Sequence, residues 1–167
     1  KYKVPTICCV SRLVPYKNID CLIKAISKIK TKIPKIKCIL VGKGEEEKNL
    51  IKLIRELKLE KNIIIKKNLT YAALIKILKS SQVFCLPSRV EGFGLATIEA
   101  LICGTPFVVA DIEINKEVSK GKGGLFFRVN DDNNLAEQLS KMLTGKNLSH
   151  RLVEEGNSVL RFYNCNN

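Results

Sequence analysis

Short, unbroken runs of apolar residues recur along this chain, and most are separated by stretches with helical apolar spacing. Thr6-Ile7-Cys8-Cys9-Val10 and Lys37-Cys38-Ile39-Leu40-Val41 do not alternate apolar with polar, as a strand wetted on one face would. They read as strands covered on both faces. Similar strands are expected from Asn62 to Ile65, at Val83-Phe84-Cys85-Leu86, from Phe107 to Ala110 and, shorter, at Leu125-Phe126-Phe127. Ile19, Leu22, Ile23, Ile26 and Ile29 form a helical stripe behind an expected Asn18 cap, and Pro34 closes that element. Leu50, Leu53, Ile54 and Leu57 form a second stripe after Glu45-Glu46-Glu47, acids that suit a helix N-terminus. Thr70 is the expected cap of a third helix through Leu74, Ile77 and Leu78. Later helices are expected from Leu95, from Asp132 to Leu143 and from about Leu148 to Phe162. The fold class is therefore α/β: a doubly wound Rossmann-like parallel sheet of about six strands with helices on both faces. In the order 3-2-1-4-5-6 the first and fourth strands are neighbours, so the loops after them share the crevice where such sheets bind ligands.

The loop after the fourth strand carries the chemistry. Residues 88–105 read S-R-V-E-G-F-G-L-A-T-I-E-A-L-I-C-G-T. A glycine turn that opens a helix at a strand's carboxyl end presents free N–H groups and a positive helix end to an anion. Glu91 and Glu99 flank that turn. Carboxylates there repel phosphate unless they accept hydrogen bonds from hydroxyls instead. Diphosphate in the middle with polyols at both ends describes a nucleotide sugar.

Pro87-Ser88, Glu91-Gly92-Phe93-Gly94-Leu95, Glu99-Ala100 and Cys103-Gly104-Thr105-Pro106 resemble the E-x7-E signature of retaining GT-B glycosyltransferases, glycosyltransferase family 4 in particular. The similarity extends to Val10-Ser11-Arg12-Leu13-Val14-Pro15-Tyr16-Lys17, Glu117-Val118 and Gly123-Gly124-Leu125. A lone E-x7-E carries little information; the ordered set of blocks carries much. The resemblance implies that residues 1–167 are the nucleotide-sugar-binding C-terminal domain of such an enzyme, with the acceptor-binding N-terminal domain absent and the isolated chain inactive. The implied reaction moves a hexosyl group from a nucleoside diphosphate to an acceptor hydroxyl, lipid-linked or on a polysaccharide, with retention at the anomeric carbon.

By the same resemblance Arg12 and Lys17 reach the donor diphosphate and stabilise it as it leaves; the bland alternative is two ordinary surface cations. Glu91 then faces the sugar hydroxyls and Glu99 the ribose, rather than serving as a helix-start carboxylate and a surface glutamate. Gly92, Phe93, Gly94 and Leu95 offer backbone N–H groups, while the Phe93 ring is expected in the core. No cofactor and no metal are expected, because Arg12 and Lys17 take the place of a divalent ion and no Asp-x-Asp cluster occurs. Two rival functions are a hydrolase or epimerase of nucleotide sugars on the same fold, and a non-catalytic nucleotide-sugar binding module. The presence of all four of Arg12, Lys17, Glu91 and Glu99 speaks against a decayed site.

Charge is unevenly distributed. Residues 1–80 hold 20 lysines and arginines against 6 acids, whereas residues 81–167 hold 9 against 10. Lysine dominates and the aromatic residues do not interleave with the cations as a stacking platform would require, so nucleic acid is not expected as a partner. Solvated helix faces account for most of the lysines, and peripheral contact with an anionic membrane is the alternative. Of seven cysteines, Cys8, Cys9, Cys21, Cys38, Cys85 and Cys103 lie in or beside apolar segments, which reads as buried thiols in a cytoplasmic protein. No C-x-x-C pair occurs and His150, the sole histidine, reads as a surface residue.

Several positions depart from the family pattern. Gly42-x-Gly44 lacks a third glycine and is followed by Glu45, so a strand-to-helix turn is expected there instead of a phosphate loop. Lys66 and Lys67 stand where the family's base pocket usually has a glycine, and Asp111-Ile112-Glu113-Ile114-Asn115 is bulkier than the small residues usual before its glutamate, here Glu117. Base and sugar identity stay open on these grounds. Asn164-Cys165-Asn166-Asn167 carries no helix stop signal, as expected of a cut or fraying end.

Overall fold

The computed structural model describes residues 1–164; residues 165–167, and with them the expected fraying end, lie outside it. Six strands, β1 (Thr6–Val10), β2 (Lys37–Val41), β3 (Ile63–Lys66), β4 (Val83–Leu86), β5 (Phe107–Ala110) and β6 (Gly124–Phe127), form one sheet. All neighbouring pairs are parallel, in the order β3-β2-β1-β4-β5-β6. The helices are α1 (Ile19–Ile29), α2 (Glu47–Glu56), α3 (Tyr71–Ser80), α4 (Leu95–Ile102), α5 (Glu113–Ser119), α6 (Asp132–Thr144) and α7 (Lys146–Asn164).

Successive strand residues point to opposite faces. Ile7, Cys9, Cys38, Leu40, Val108 and Ala110 therefore join one apolar layer with α1, α2 and α6. Cys8, Ile39, Phe84, Leu86, Phe107 and Val109 join the other with α3 and α4. β1, β2, β4 and β5 bury both faces, which is why their sequences are continuous rather than alternating, while edge strand β3 leaves Ile64 exposed. The α1 stripe is buried along its whole length and packs against α6. Each such leucine or isoleucine contributes roughly 1.5–3 kcal/mol as an upper bound.

Three departures have local causes. β3 begins one residue after Asn62, whose amide nitrogen instead donates to the carbonyls of Pro34 at 3.2 Å and Ile36 at 2.8 Å. Asn18 occupies the N-cap position of α1 but makes no side-chain cap bond: it is left-handed, with φ 56°, and its amide is used elsewhere. Thr70 does cap α3, accepting from the Ala73 N–H at 3.3 Å. α5 was not legible as a helix, because it spans only seven residues and docks largely through polar contacts. Asn115 Nδ2 donates to the Ala110 carbonyl at 2.9 Å and Ser119 Oγ to the Asn115 carbonyl at 2.6 Å, so no apolar stripe announces it.

Candidate functional site

The strand order places the carboxyl ends of β1 and β4 side by side, and the loops leaving them build the site. The β1 loop is braced by the loop after β2. Leu13 N–H donates to the Lys43 carbonyl and Glu46 N–H to the Leu13 carbonyl, both at 3.0 Å. A Cβ on Gly42 would lie 1.8 Å from Ser11 O, and one on Gly44 2.1 Å from Leu13 O. Gly42-x-Gly44 is thus a packing joint beneath the Arg12 loop, in keeping with the turn expected there. Arg12 is exposed, and its guanidinium has no ion-pair or hydrogen-bond partner among the described residues.

Past Arg12, residues Pro15–Lys17 form a single 3-10 turn. Lys17 Nζ lies 2.6 Å from Glu91 Oε1, with the two side chains only 13% and 11% exposed. The same ammonium sits 5.4 Å from the Tyr16 ring centroid, within the range of a cation–π contact. Two residues expected to touch different parts of one ligand are therefore bonded to each other across two loops.

Glu91 belongs to the β4 loop, which enters α4 through Gly94 in a left-handed conformation, φ 61°. A side chain there would be strained, and its Cβ would also come within 2.9 Å of Val118 Cγ2 on α5. The N–H groups of Gly92, Phe93, Gly94, Leu95 and Ala96 have no partner among the described residues, and the first turn of α4 contains no acid. Nothing lies within 4 Å of a Cβ built on Gly92, so the turn is open on that side. The hydroxyls of Ser88 and Thr97 are buried on either side of the turn without a hydrogen-bond partner. Glu99, on the next turn of α4, is partly buried and its carboxylate is unpaired among the described residues.

Phe93 does not enter the core. It is 78% exposed on the turn between Gly92 and Gly94, and belongs to neither apolar layer. Leu95 is exposed beside it. Lys67 pairs with Glu47 at 2.7 Å, Glu117 is exposed on α5, and His150 is exposed on α7. A groove of about 810 Å³ between α1 and α6, lined by Lys28, Asn133, Glu137 and Lys141 among others, contains none of the expected site residues.

Two residues outside the expected set tie the loops together. Arg89 donates to Asn130 Oδ1 at 2.6 Å, to the Pro15 carbonyl at 3.1 Å and to Asn18 Oδ1 at 2.8 Å. Asn18 in turn donates to the Pro87 carbonyl at 3.1 Å. No local spacing signals these contacts, since Arg89 and Asn18 are 71 residues apart.

Comparison with known proteins follows the same lines. The chain is 32% identical over 146 residues to a GDP-mannose-dependent monoacylated alpha-(1-6)-phosphatidylinositol monomannoside mannosyltransferase of Corynebacterium glutamicum, covering 83% of this chain and 38% of that protein. It is 29% identical over 136 residues to a poly(ribitol-phosphate) alpha-N-acetylglucosaminyltransferase of Staphylococcus aureus, covering 80% and 27%. It thus spans well under half the length of these two relatives. Among solved structures, the catalytic domain of cholesterol-alpha-glucosyltransferase from Helicobacter pylori superposes with a TM-score of 0.78 at 25% identity, covering 94% of this chain and 99% of that one. Residues 1–159 match the family described as glycosyl transferases group 1, and the chain belongs to that family.

Proposed function

We propose that this chain binds the nucleotide-sugar donor of a hexosyl transfer, in which the sugar passes to an acceptor hydroxyl with retention at the anomeric carbon. The observation that carries this reading is the Lys17–Glu91 pair at 2.6 Å across the β1 and β4 loops, beside a turn of unpartnered amides. Cations and free N–H groups suit a diphosphate; carboxylates on its flanks suit the hydroxyls of ribose and hexose. Arg12 and Lys17 stabilise the charge that grows on the departing diphosphate, a role positive groups fill best in a water-poor cleft. Glu91 accepts from sugar hydroxyls once a phosphate occupies Lys17, and Glu99 accepts from ribose. The printed name of the Corynebacterium relative, a GDP-mannose-dependent mannosyltransferase, supports this donor class.

Transfer also requires an acceptor oriented against the donor, so the isolated chain binds without turning over. The acceptor, a glycan or a lipid-linked sugar, is held by parts of the protein beyond this chain. No divalent ion is required. The protein is cytoplasmic, and its lysine-rich residues 1–80 draw it toward an anionic membrane face. Sedimentation with anionic and neutral vesicles checks that last point, equal negligible binding to both counting against it.

Calorimetry with UDP, GDP, ADP and their sugars tests the donor reading. At least one pair should bind, and Glu99→Gln should weaken the diphosphate and its sugar alike, roughly 10- to 150-fold for a lost charge-assisted bond. Indifference to every ligand in that panel would overturn it.

A further inference from the structure

We propose that Arg89 is a positioning residue, which fixes the loop that carries Lys17 against the loop that carries Glu91; the inference rests on the donor reading of those two groups. Arg89 uses all three nitrogens of its guanidinium, on two loops other than its own. Nη1 reaches the Pro15 carbonyl and Nη2 the Asn18 side chain, at either end of the turn that carries Lys17. Nε reaches Asn130 Oδ1 at 2.6 Å, beyond β6. Its own N–H donates to the Tyr16 carbonyl at 2.9 Å. Glu91 follows two residues later on the same loop. Asn18 and Asn130 both adopt positive φ, 56° and 64°, and both offer their amide oxygens to this one guanidinium.

Every acceptor is a neutral oxygen, and Arg89 has no ion pair among the described residues, so charge pairing does not explain its place. A planar fork with several fixed donors can satisfy three such acceptors at once; a lysine ammonium on a flexible stem cannot hold the same geometry. The Lys17–Glu91 pair thus spans two loops whose relative position is set by a third residue. Preorganising both groups removes an ordering cost from ligand binding.

The test uses the intact chain. UDP and GDP affinities are measured for the wild type, Arg89→Ala, Arg89→Lys, Lys17→Ala and the Arg89→Ala/Lys17→Ala double variant, with amide hydrogen exchange for the wild type and Arg89→Ala. Arg89→Ala should weaken the diphosphate about tenfold, Arg89→Lys should not restore it, and the loss should vanish in the Lys17→Ala background. Exchange at the Asn18 and Arg89 amides should quicken while β1 and β4 stay protected. Unchanged affinity, full rescue by lysine, or a loss that adds to that of Lys17→Ala overturns the proposal, the last because Arg89 would then touch the ligand itself. A wild type that binds neither of these, nor ADP nor any of the three nucleotide sugars, sinks the donor reading instead. The exchange measurement still decides on Arg89 in that case: quickened loops uphold the knot and unchanged protection removes it.

Discussion

Lys17 Nζ and Glu91 Oε1 meet at 2.6 Å with both side chains nearly covered, although 74 residues separate them in the chain. A covered ion pair is costly to break one-sidedly, because the group left behind keeps its charge and loses its partner. On the donor reading, a phosphate that takes Lys17 strands Glu91 unless something else satisfies the carboxylate. The hydroxyls of a hexose do so; a bare nucleoside diphosphate does not. The pair therefore favours the intact donor over the product.

Glu91→Gln separates the two halves of that argument. Losing the ion pair should lower the unfolding free energy by about 1–3 kcal/mol, between the values typical of exposed and of fully buried pairs. Lys17 is then free, so the bare diphosphate should bind severalfold more tightly, while the nucleotide sugar weakens. Denaturant titration and calorimetry on both ligands read this out. Parallel losses for the two ligands would show that Glu91 does not compete for Lys17.

The glycines of the two loops should respond in opposite ways. Gly44→Ala drives a Cβ to 2.1 Å from the Leu13 carbonyl, a backbone atom that cannot rotate aside. A loss of about 1–3 kcal/mol is expected from such overpacking, together with a displaced Arg12 loop. Gly92→Ala meets nothing within 4 Å and should leave stability unchanged. It should still weaken nucleotide-sugar binding, because the methyl group fills space beside the free amides. Equal melting temperatures for the two variants would contradict the packing argument.

Much of this was readable from residue order because β1, β2, β4 and β5 bury both faces, and only a doubly covered parallel strand tolerates such continuous apolar runs. The site loops were readable because glycines between two glutamates have few purposes. What escaped was non-local or ambiguous in chemistry. An asparagine before a helical stripe reads as a cap, yet Asn18 is equally fit for a left-handed joint and serves as one. Phe93 is apolar by composition, and only the path of the turn places it in the open. The partnership of Lys17 with Glu91, and the Arg89 bonds that frame it, join segments whose proximity appears only once β1 and β4 are neighbours.

Buried thiols should make stability fall in alkali. Burial pushes Cys8 up to about 12 and Cys21 up to about 11, and it raises Cys9, Cys38 and Cys85 as well. An unfolded thiol loses its proton near pH 9, so the unfolded state binds fewer protons than the folded one above that point. The contribution is fully present below about pH 9 and is lost as the pH climbs through the folded values. Urea midpoints should be level from pH 7 to 8 and decline beyond 9. Iodoacetamide at pH 8 should label these five slowly in the folded chain and rapidly after unfolding, with the less deeply covered Cys103 leading among the six described cysteines. A midpoint that rises between pH 9 and 10 would reverse the sign of this linkage.

Donor binding should survive chelation. Among the described residues no group of three histidine, cysteine, aspartate or glutamate side chains is arranged to hold a metal ion. On the donor reading, positive charge comes instead from Arg12, Lys17 and the amide-lined start of α4. A helix N-terminus and two side-chain cations can together replace the field of a divalent ion around a diphosphate. Nucleoside diphosphate affinity measured with and without excess EDTA should then agree within about threefold, a difference below roughly 0.7 kcal/mol. Salt should matter more than chelator. Arg12 is exposed, so its attraction for phosphate is screened as ionic strength rises from about 0.05 to 0.5 M. Arg12→Ala should therefore flatten the salt dependence, whereas Lys17→Ala, which removes a sheltered cation, should lower affinity at every ionic strength. A tenfold loss on chelation that added magnesium restores would assign to a metal the charge attributed here to the chain.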